Sequence, residues 1–236
     1  MRGIKPMNLL AVDTATAVLS LALAAGENTW RFEADAGLRH SELLMDGVDL
    51  LLREAGIAQR DLSGVLCTGG PGSFTGLRIG FSLAKGLALA LGIPFAAVPT
   101  LDCMAYHFSA WPGIVAPAID ARGNAFFCAL YRNGDRICTD MDAGPAEIGR
   151  AIERMSRPQD MAALLTGPGA AALYHALPAE LIDSGLVRLD VAYSGGSAAA
   201  LLTIAKKSKI LNNNPVDWFS GPEYIRKSDA ELRQGL

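Results

Sequence analysis

The sequence lacks an excess of basic residues. Its 236 residues include 21 lysines and arginines against 24 aspartates and glutamates, a formal net charge of −3 at pH 7. A protein that grips nucleic acid by itself usually presents clustered positive charge to the phosphates, so the composition argues against autonomous RNA or DNA binding. Half of the residues are hydrophobic, so the chain can build the core of one large domain or of two lobes of about 100 residues each.

Metal-binding and disulfide patterns are also missing. The four cysteines are scattered along the chain: Cys67, Cys103, Cys128 and Cys138. Without a C-x-x-C pair, this spacing favours reduced thiols that serve as small core side chains in a reducing compartment. The three histidines lie far apart, at positions 40, 107 and 175. The helical histidine pair of a zinc peptidase is therefore absent, and we predict no metal site.

No apolar run reaches the roughly 18 residues that a membrane span requires. The nearest, Leu9–Ala25, follows Arg2 and Lys5 and has the outline of a signal peptide. Asp13 interrupts it, and a charge is unfavourable in the apolar part of such a peptide. We interpret this stretch as two strands, and we expect a soluble, cytoplasmic protein.

The first half of the chain alternates strand and helix signals. Short apolar runs bounded by turn residues predict strands, and a longer run with helical periodicity that stops at a glycine predicts a helix. The predicted elements are a strand over 9–12 ending at Asp13, strands over Val18–Leu23 and Thr29–Glu33, a helix over Ser41–Ala55, a strand over Val65–Thr68, and a helix over Thr75–Leu91.

The second half repeats this order. The predicted elements are a strand over Ile114–Ile119 ending at Asp120, strands over Ala125–Tyr131 and Arg136–Thr139 around an Asn133-Gly134 turn, a helix over Ala146–Met155, a strand over Ala163–Thr166 before a second Pro-Gly loop, a helix over Ser197–Lys207, and a polar tail that packs poorly until Pro222–Leu232. The repetition predicts an α/β protein of two lobes, each a mixed sheet flanked by helices. We expect residues 1–105 in the first lobe and residues 106–236 in the second.

The sharpest local motif is the glycine-rich segment that leads into the helix over Thr75–Leu91. Free N–H groups and the positive end of the helix both attract anions, so they favour a phosphate site there. The segment is neither a Walker A loop nor a nucleophile elbow, because the flanking residues of both motifs are missing. The candidate phosphate-binding residues are Gly70, Gly72, Ser73 and Thr75. The alternative is a tight turn in which Ser73 or Thr75 caps the helix.

A second candidate phosphate loop follows the first strand. The Asp13 carboxylate could hold Mg²⁺ through water, while the hydroxyls of Thr14 and Thr16 contact phosphate. Asp120 is the counterpart in the second half, with Arg122 as a candidate ion-pair partner. The alternative is an Asx turn, in which Asp13 accepts hydrogen bonds from nearby backbone amides. The residues alone leave both interpretations open.

Two predicted helices have faces suited to a partner. On the second, small residues recur at every fourth position and form a ridge that lets another helix approach closely: Gly76, Gly80, Ala84 and Ala88. The alternative is close packing on the helix's own sheet. On the first, an apolar stripe that includes Leu44 and Val48 is wider than one sheet has to cover.

Together these residues resemble the bacterial TsaB (YeaZ) family. The matching segments span nearly the whole chain: Asp13–Thr16, His40–Glu42, Gly70–Gly80, Gly86–Ala90, Thr100-Leu101, Ala118–Arg122 and Pro222–Arg226. The G-P-G-S-F-T-G run combined with A-I-D-A-R is specific to the family. The chain departs from the family in the Met1–Pro6 extension and the Asn212–Asn214 run. The resemblance implies two RNase H-like lobes of the actin-like (ASKHA) type.

The resemblance also implies a role beside TsaD, the paralogous subunit that transfers a threonylcarbamoyl group to N6 of adenosine 37 in tRNAs that read ANN codons. This chain would be a non-catalytic scaffold that activates TsaD, without catalytic residues of its own. Its two N-terminal helices would form a four-helix bundle with TsaD, or with a second copy when TsaD is absent. The interface residues would be His40, Ser41, Leu44, Val48, Gly76, Gly80 and Ala84.

The remaining expectations concern cofactors and other partners. A separate ATPase, TsaE, would complete the set, and tRNA would be met only through the complex. No cofactor is required of this chain, although ATP or ADP with Mg²⁺ could lie at the interface of the complex. The alternative function is an independent ATPase or small-molecule kinase of the actin/sugar-kinase superfamily, which Asp13, Asp120 and the two Pro-Gly loops motivate.

Overall fold

The structure, a computed structural model, describes residues 7–156, 161–193, 195–208, 210–213 and 221–222. In chain order its elements are β1 (Leu9–Asp13), β2 (Val18–Ala25), β3 (Asn28–Asp35), α1 (His40–Ala55), a 3-10 turn (Gln59–Asp61), β4 (Gly64–Thr68), α2 (Phe74–Leu91), β5 (Phe95–Val98), α3 (Thr100–Tyr106), β6 (Ile114–Asp120), β7 (Phe126–Cys128), β8 (Tyr131–Arg132), β9 (Asp135–Arg136), β10 (Met141–Ala143), α4 (Pro145–Ser156), β11 (Ala163–Thr166), α5 (Ala170–Ala176), α6 (Ala179–Asp183), β12 (Val187–Leu189), α7 (Ala198–Ser208) and α8 (Ile210–Asn213).

The chain divides into two units. The first unit is discontinuous and comprises the chain up to Cys103 and again from Gly195. The second unit begins at Met104. The expected second lobe, residues 106–236, included the helix now seen as α7. In the structure α7 contacts β1, β2 and β4 of the first unit.

The first unit is built on a five-stranded sheet in the order β3-β2-β1-β4-β5. β1, β2 and β3 form an antiparallel meander, while β4 and β5 run parallel to β1. β1 and β4 are completely apolar in their interiors and buried along their whole length, as central strands covered on both faces must be. Leu10 and Val12 belong to a core shared with α1 and α2, and α7 also packs against β1 and β4.

The second unit repeats this topology. Its sheet has the order β10-β7-β6-β11-β12, with β6, β7 and β10 antiparallel and β11 and β12 parallel to β6. The two sheets share strand order and strand direction, and helices flank both. The predicted fold class, two RNase H-like lobes of the actin type with mixed sheets, is confirmed.

The predicted helices and most predicted strands are confirmed, and α1 and α2 end as expected at Gly56 and Gly92 with left-handed φ values of 67° and 64°. The meander of the second half differs. The predicted strand over Ala125–Tyr131 is split into β7 and β8, and the third strand of the meander is β10, not Arg136–Thr139.

The physical reason for this difference is an inserted hairpin. The Asn133-Gly134 turn joins β8 to β9, both only two residues long, and β8 pairs with the start of β6 instead of continuing β7. The predictions for Met1–Pro6 and for the segment after Pro222 lie outside the described residues. The polar tail does contain one short helix, α8.

Candidate functional site

β1 ends in a buried carboxylate that holds three parts of the first unit together. Oδ1 of Asp13 accepts hydrogen bonds from the N–H of Ala15 at 3.0 Å and from the hydroxyl of Thr68 at 2.9 Å. Oδ2 accepts from the N–H of Ser197 at 2.8 Å. These donors come from the hairpin after β1, from the end of β4 and from the residue that precedes α7. We call Asp13, Ala15, Thr68 and Ser197 the Asp13 hub.

Burial decides what this carboxylate can do. Asp13 has no exposed surface. Its desolvation raises the pKa above the usual range, and the hydrogen bonds from Ala15, Ser197 and Thr68 offset part of that rise. A Mg²⁺ ion or its water shell could reach the carboxylate only by displacing these donors. The contact with Ala15 is the Asx turn of the alternative, and the role of Asp13 as a magnesium ligand stays a prediction.

The hydroxyls of the same hairpin are also engaged within the chain. The Thr14 hydroxyl donates to the backbone oxygen of Gly76 at 2.7 Å, and the Thr16 oxygen accepts from the N–H of Val18 at 3.3 Å. A Cβ atom added to Gly72 would lie 2.5 Å from the backbone oxygen of Ala15. The hairpin and the glycine-rich loop are thus in direct contact. The phosphate role of Thr14, Thr16 and Gly72 stays a prediction.

The glycine-rich loop is held by its own neighbours. The Ser73 hydroxyl caps α2 by accepting the N–H of Gly76 at 3.2 Å, and the Ser73 N–H donates to the oxygen of Ala15 at 2.7 Å. Gly70 exchanges two hydrogen bonds with Thr100, one through the Thr100 hydroxyl and one through its N–H. The turn-and-cap alternative is correct for Gly70 and Ser73. Thr75 is exposed, and its phosphate role stays a prediction.

The start of α7 donates three successive backbone N–H groups to the sheet. Besides the bond from Ser197 to the hub, the Gly196 N–H donates to Oε1 of Glu33 at 3.1 Å and the Ala198 N–H to the Ser20 hydroxyl at 3.4 Å. The positive end of α7 therefore faces two carboxylates. Gly196 allows this approach, because a Cβ there would lie 2.1 Å from that of Ser20. Our sequence reasoning missed this contact, although a Gly-Gly-Ser segment directly before a helix was its signal.

The second unit does not reproduce the hub. Thr166, at the end of β11, donates to Asp190 at 2.7 Å instead of to the aspartate that ends β6. That aspartate, Asp120, is exposed, and its Oδ1 accepts the backbone N–H of Arg122 at 2.7 Å in an Asx turn. Within the described residues no group of three or more His, Cys, Asp or Glu side chains is placed to hold a metal ion. The phosphate role of Asp120 stays a prediction.

The small-residue ridge of α2 faces the sheet of its own unit. A Cβ at Gly76 would lie 2.1 Å from the backbone oxygen of Thr14, and one at Gly80 would lie 2.4 Å from the Thr14 hydroxyl. Ala84 is completely buried. The assignment of Gly76, Gly80 and Ala84 to a partner interface is wrong, because the hairpin after β1 already fills that approach.

The inner face of α1 is likewise covered. His40, Leu44 and Val48 are each at most 4% exposed, and Leu44 and Val48 belong to the core under the sheet. They cannot touch a partner without unpacking that core, so their assignment to the interface is also wrong. Ser41 is exposed, and its interface role stays a prediction.

The opposite side of α2 carries apolar surface that the first unit leaves open. We define the α2 outer face by the residues that repeat along this side: Thr75, Arg78, Ile79, Ser82, Gly86 and Leu89. A groove of about 450 Å³ is lined by five residues at its N-terminal end: Phe74, Thr75, Arg78, Ile79 and Ser82. The Arg78 guanidinium lies 3.8 Å from the centre of the Phe74 ring, and Leu89 is 71% exposed.

The composition of α2 is unusual for a helix so exposed. Its 18 residues have a mean hydropathy of 1.3, yet only 39% of them are buried. Within the described residues, α2 is the one helix that is long and apolar enough to cross a membrane, a test that core helices of soluble proteins also pass. Its packing on β4 in the first unit accounts for the buried side but not for the α2 outer face.

Comparisons with known proteins agree on one family. A family model described as "TsaD: tRNA N6-adenosine threonylcarbamoyltransferase" matches residues 34–232. The chain is 35% identical over 158 residues to the tRNA threonylcarbamoyladenosine biosynthesis protein TsaB of Bacillus subtilis, an alignment that covers 64% of this chain and 69% of that relative. It is 37% identical over 134 residues to the Escherichia coli protein of the same name, covering 55% of this chain and 57% of that one.

A solved structure extends the similarity to the whole fold. YeaZ from Pseudomonas aeruginosa superposes with a TM-score of 0.75 at 26% sequence identity, covering 93% of this chain and 100% of that one.

Proposed function

This chain belongs to the TsaB (YeaZ) family, and on that premise we propose that it serves tRNA threonylcarbamoyladenosine biosynthesis as a non-catalytic scaffold. It binds a TsaD-type threonylcarbamoyltransferase and activates it. The product of the complex is N6-threonylcarbamoyladenosine at position 37 of ANN-reading tRNAs. The complex works in the cytoplasm, a TsaE-type ATPase joins it, and tRNA is met through the complex and not by this chain alone.

The observation that carries the proposal is the α2 outer face. A helix face that is open to solvent and carries an exposed apolar side chain, here Leu89, between small residues is suited to helix docking. Ser82 and Gly86 lie in its middle, where small side chains let a partner helix approach closely. The helix contains no acidic residue that would neutralise Arg78. Arg78 therefore gives the α2 outer face a positive charge, and an acidic group of the partner can pair with it at the edge of the interface.

A TsaD-type partner fits this surface better than an unrelated protein. The TsaD family model matches a segment that contains both α1 and α2, so the partner has counterparts of the same two helices. Two related units can then pack helix against helix about an approximate twofold axis, as identical subunits do. A second copy of this chain competes for the same face, and the homodimer is therefore expected when the partner is absent.

The supporting role is favoured by how the first unit uses its polar groups. The Asp13 carboxylate and the N–H groups of Gly70 and Ser73 are all engaged by atoms of the same chain. We therefore expect nucleotide at the interface of the complex and not in this unit. One observation favours the alternative, an independent ATPase or small-molecule kinase: Asp120 is exposed. Calorimetry of the isolated chain with Mg-ATP, and of Asp120→Ala, separates the two.

The decisive experiment is a reconstituted tRNA modification assay with and without this chain. Activity should be lost on omission and restored on addition, while the chain alone modifies no tRNA. Leu89→Asp, which places a charge in the α2 outer face, should weaken TsaD binding by at least tenfold, since burying an unpaired charge is strongly unfavourable. Val191→Asp is the matched control, because Val191 is an 89% exposed apolar residue of the second unit. Equal binding by both variants would refute the assigned face.

A further inference from the structure

We propose that α7 controls the docking helix α2 through the Asp13 hub. The hairpin of residues 13–16 is bonded to the start of α7 on one side and to the start of α2 on the other, so a displacement of α7 moves the α2 outer face. The inference rests on the proposed function for its consequence, partner affinity, but the coupling itself can be measured on the isolated chain.

The α7 side of the connection is short and closely packed. Ser197 donates to Asp13 at 2.8 Å, and Gly196 donates to Glu33, which also accepts the Ser20 hydroxyl at 3.1 Å. Gly196 and Ser197 are buried, and a Cβ at Gly196 would come within 2.1 Å of the Ser20 Cβ. Real Cβ contacts essentially never fall below 3.0 Å, so a side chain at 196 must displace the start of α7 or the strand that carries Ser20.

The α2 side is equally direct. The residue after Asp13, Thr14, donates to the oxygen of Gly76 at 2.7 Å, and the oxygen of Ala15 accepts the N–H of Ser73 at 2.7 Å. Both bonds join the hairpin to the first turn of α2 and its cap. The backbone of Thr14 also touches Gly76 so closely that a Cβ there would meet it at 2.1 Å. The first turn of α2 is therefore positioned by the hairpin and not by its sheet alone.

The two sides share the same few atoms. Oδ1 of Asp13 fixes Ala15, and Oδ2 holds Ser197, which lies 184 positions further along the chain. Close-packed interiors transmit displacements because few voids are available to absorb them. A chain of buried hydrogen bonds with one carboxylate at its centre is a physical connection of the kind that couples sites. The position of α7 on the sheet of the first unit thereby sets how α2 is presented.

Gly196→Ala tests the coupling, with Gly195→Ala as its matched control. The neighbouring Gly195 has room, since its Cβ would lie 3.5 Å from the nearest Glu33 oxygen. Two quantities are measured: backbone hydrogen exchange of the isolated chain, resolved at Gly76 and Leu77, and affinity for a TsaD-type protein from the same organism. Gly196→Ala should speed exchange at the start of α2 and weaken binding by about 5- to 150-fold, the usual range of coupling between sites. Gly195→Ala should change neither.

The outcomes separate the two proposals. Unchanged exchange at Gly76 and Leu77 in Gly196→Ala overturns the coupling, as does exchange that rises uniformly across the unit, which marks general destabilisation. If wild-type chain fails to bind the TsaD-type protein, the proposed function fails while the exchange result still decides the coupling. If Gly196→Ala does not fold, Glu33→Gln, at an exposed position, weakens the same anchor and should give a smaller change in the same amides.

Discussion

Replacing Asp13 by asparagine tests the hub at its centre. The carboxylate accepts three hydrogen bonds from Ala15, Thr68 and Ser197, whereas an asparagine side chain offers one acceptor oxygen and turns an NH₂ group towards the remaining donors. The Thr68 hydroxyl can rotate to accept, but the two backbone N–H groups cannot. One buried N–H is therefore left unsatisfied, at a cost of about 1–3 kcal/mol. Removal of a desolvated charge offsets part of this, so we expect a net destabilisation of about 1–2 kcal/mol at pH 7.

The difference in stability between wild type and Asp13→Asn should depend on pH. Because burial raises the pKa of Asp13 above its unfolded value of 3.8, the folded wild type binds its proton more tightly than the unfolded chain does. The stability that Asp13 contributes to the wild type is fully present below pH 3.8 and declines as the pH rises through the folded pKa. The stability gap between wild type and Asp13→Asn should therefore narrow with rising pH.

Urea unfolding at a series of pH values between about 4 and 8 measures this gap, because contributions of all other groups cancel between the two proteins. The control variant should leave the Asp13 hub intact. Asn8→Asp is unsuitable, because the Asn8 side chain donates to the backbone oxygen of Asp61. Thr166→Val is suitable, because it removes the threonine of the second unit that corresponds to Thr68, and that threonine donates to Asp190. A gap that widens as the pH rises would show that the hydrogen bonds outweigh desolvation, and would refute our account of the site.

Two further predictions concern packing and thiol reactivity. Gly76→Ala should destabilise the first unit by about 1–3 kcal/mol, because the new Cβ meets the Thr14 oxygen at 2.1 Å, while Gly86→Ala on the same helix has nothing within 4 Å and should be neutral or stabilising in thermal unfolding. Burial raises the pKa of the thiols of Cys67, Cys103 and Cys128, so in the native protein a thiol reagent at pH 8 should modify the half-buried Cys138 first. Peptide mapping that finds Cys103 or Cys128 modified as fast would contradict the packing.

Local signals in the sequence were sufficient for much of the fold. Asp13 and Asp120 each end a strand, and Gly56 and Gly92 each end a helix, because those residues act on the backbone within one turn. The Asn133-Gly134 turn was also recognised. What the pattern could not show was that its two flanking strands are an insertion, since strand pairing depends on residues elsewhere in the chain.

The site was harder to predict, because its contacts are distant in sequence. Asp13 and Ser197 are 184 residues apart, and Thr68 is 55 residues from Asp13. The sequence pattern of a glycine, an aspartate and a hydroxyl residue in a loop is the same whether these residues bind phosphate or bind each other. Periodicity identified the small-residue ridge of α2 correctly as a site of close approach, but it carries no information on whether a partner or the chain itself makes that approach.

The occupied loops and the open helix face have one structural origin. Gly76 and Gly80 let α2 lie directly on the hairpin after β1, with Thr14 filling the space above both. The same hairpin is bonded to the glycine-rich loop, because the oxygen of Ala15 accepts the N–H of Ser73. It also fixes which side of α2 faces outwards, because residues two positions from the ridge, such as Ser82 and Gly86, lie about 200° around the helix from it. The packing that closes the loops therefore presents Ile79, Ser82 and Leu89 to a partner, and a substitution that reopened the loops should weaken docking as well.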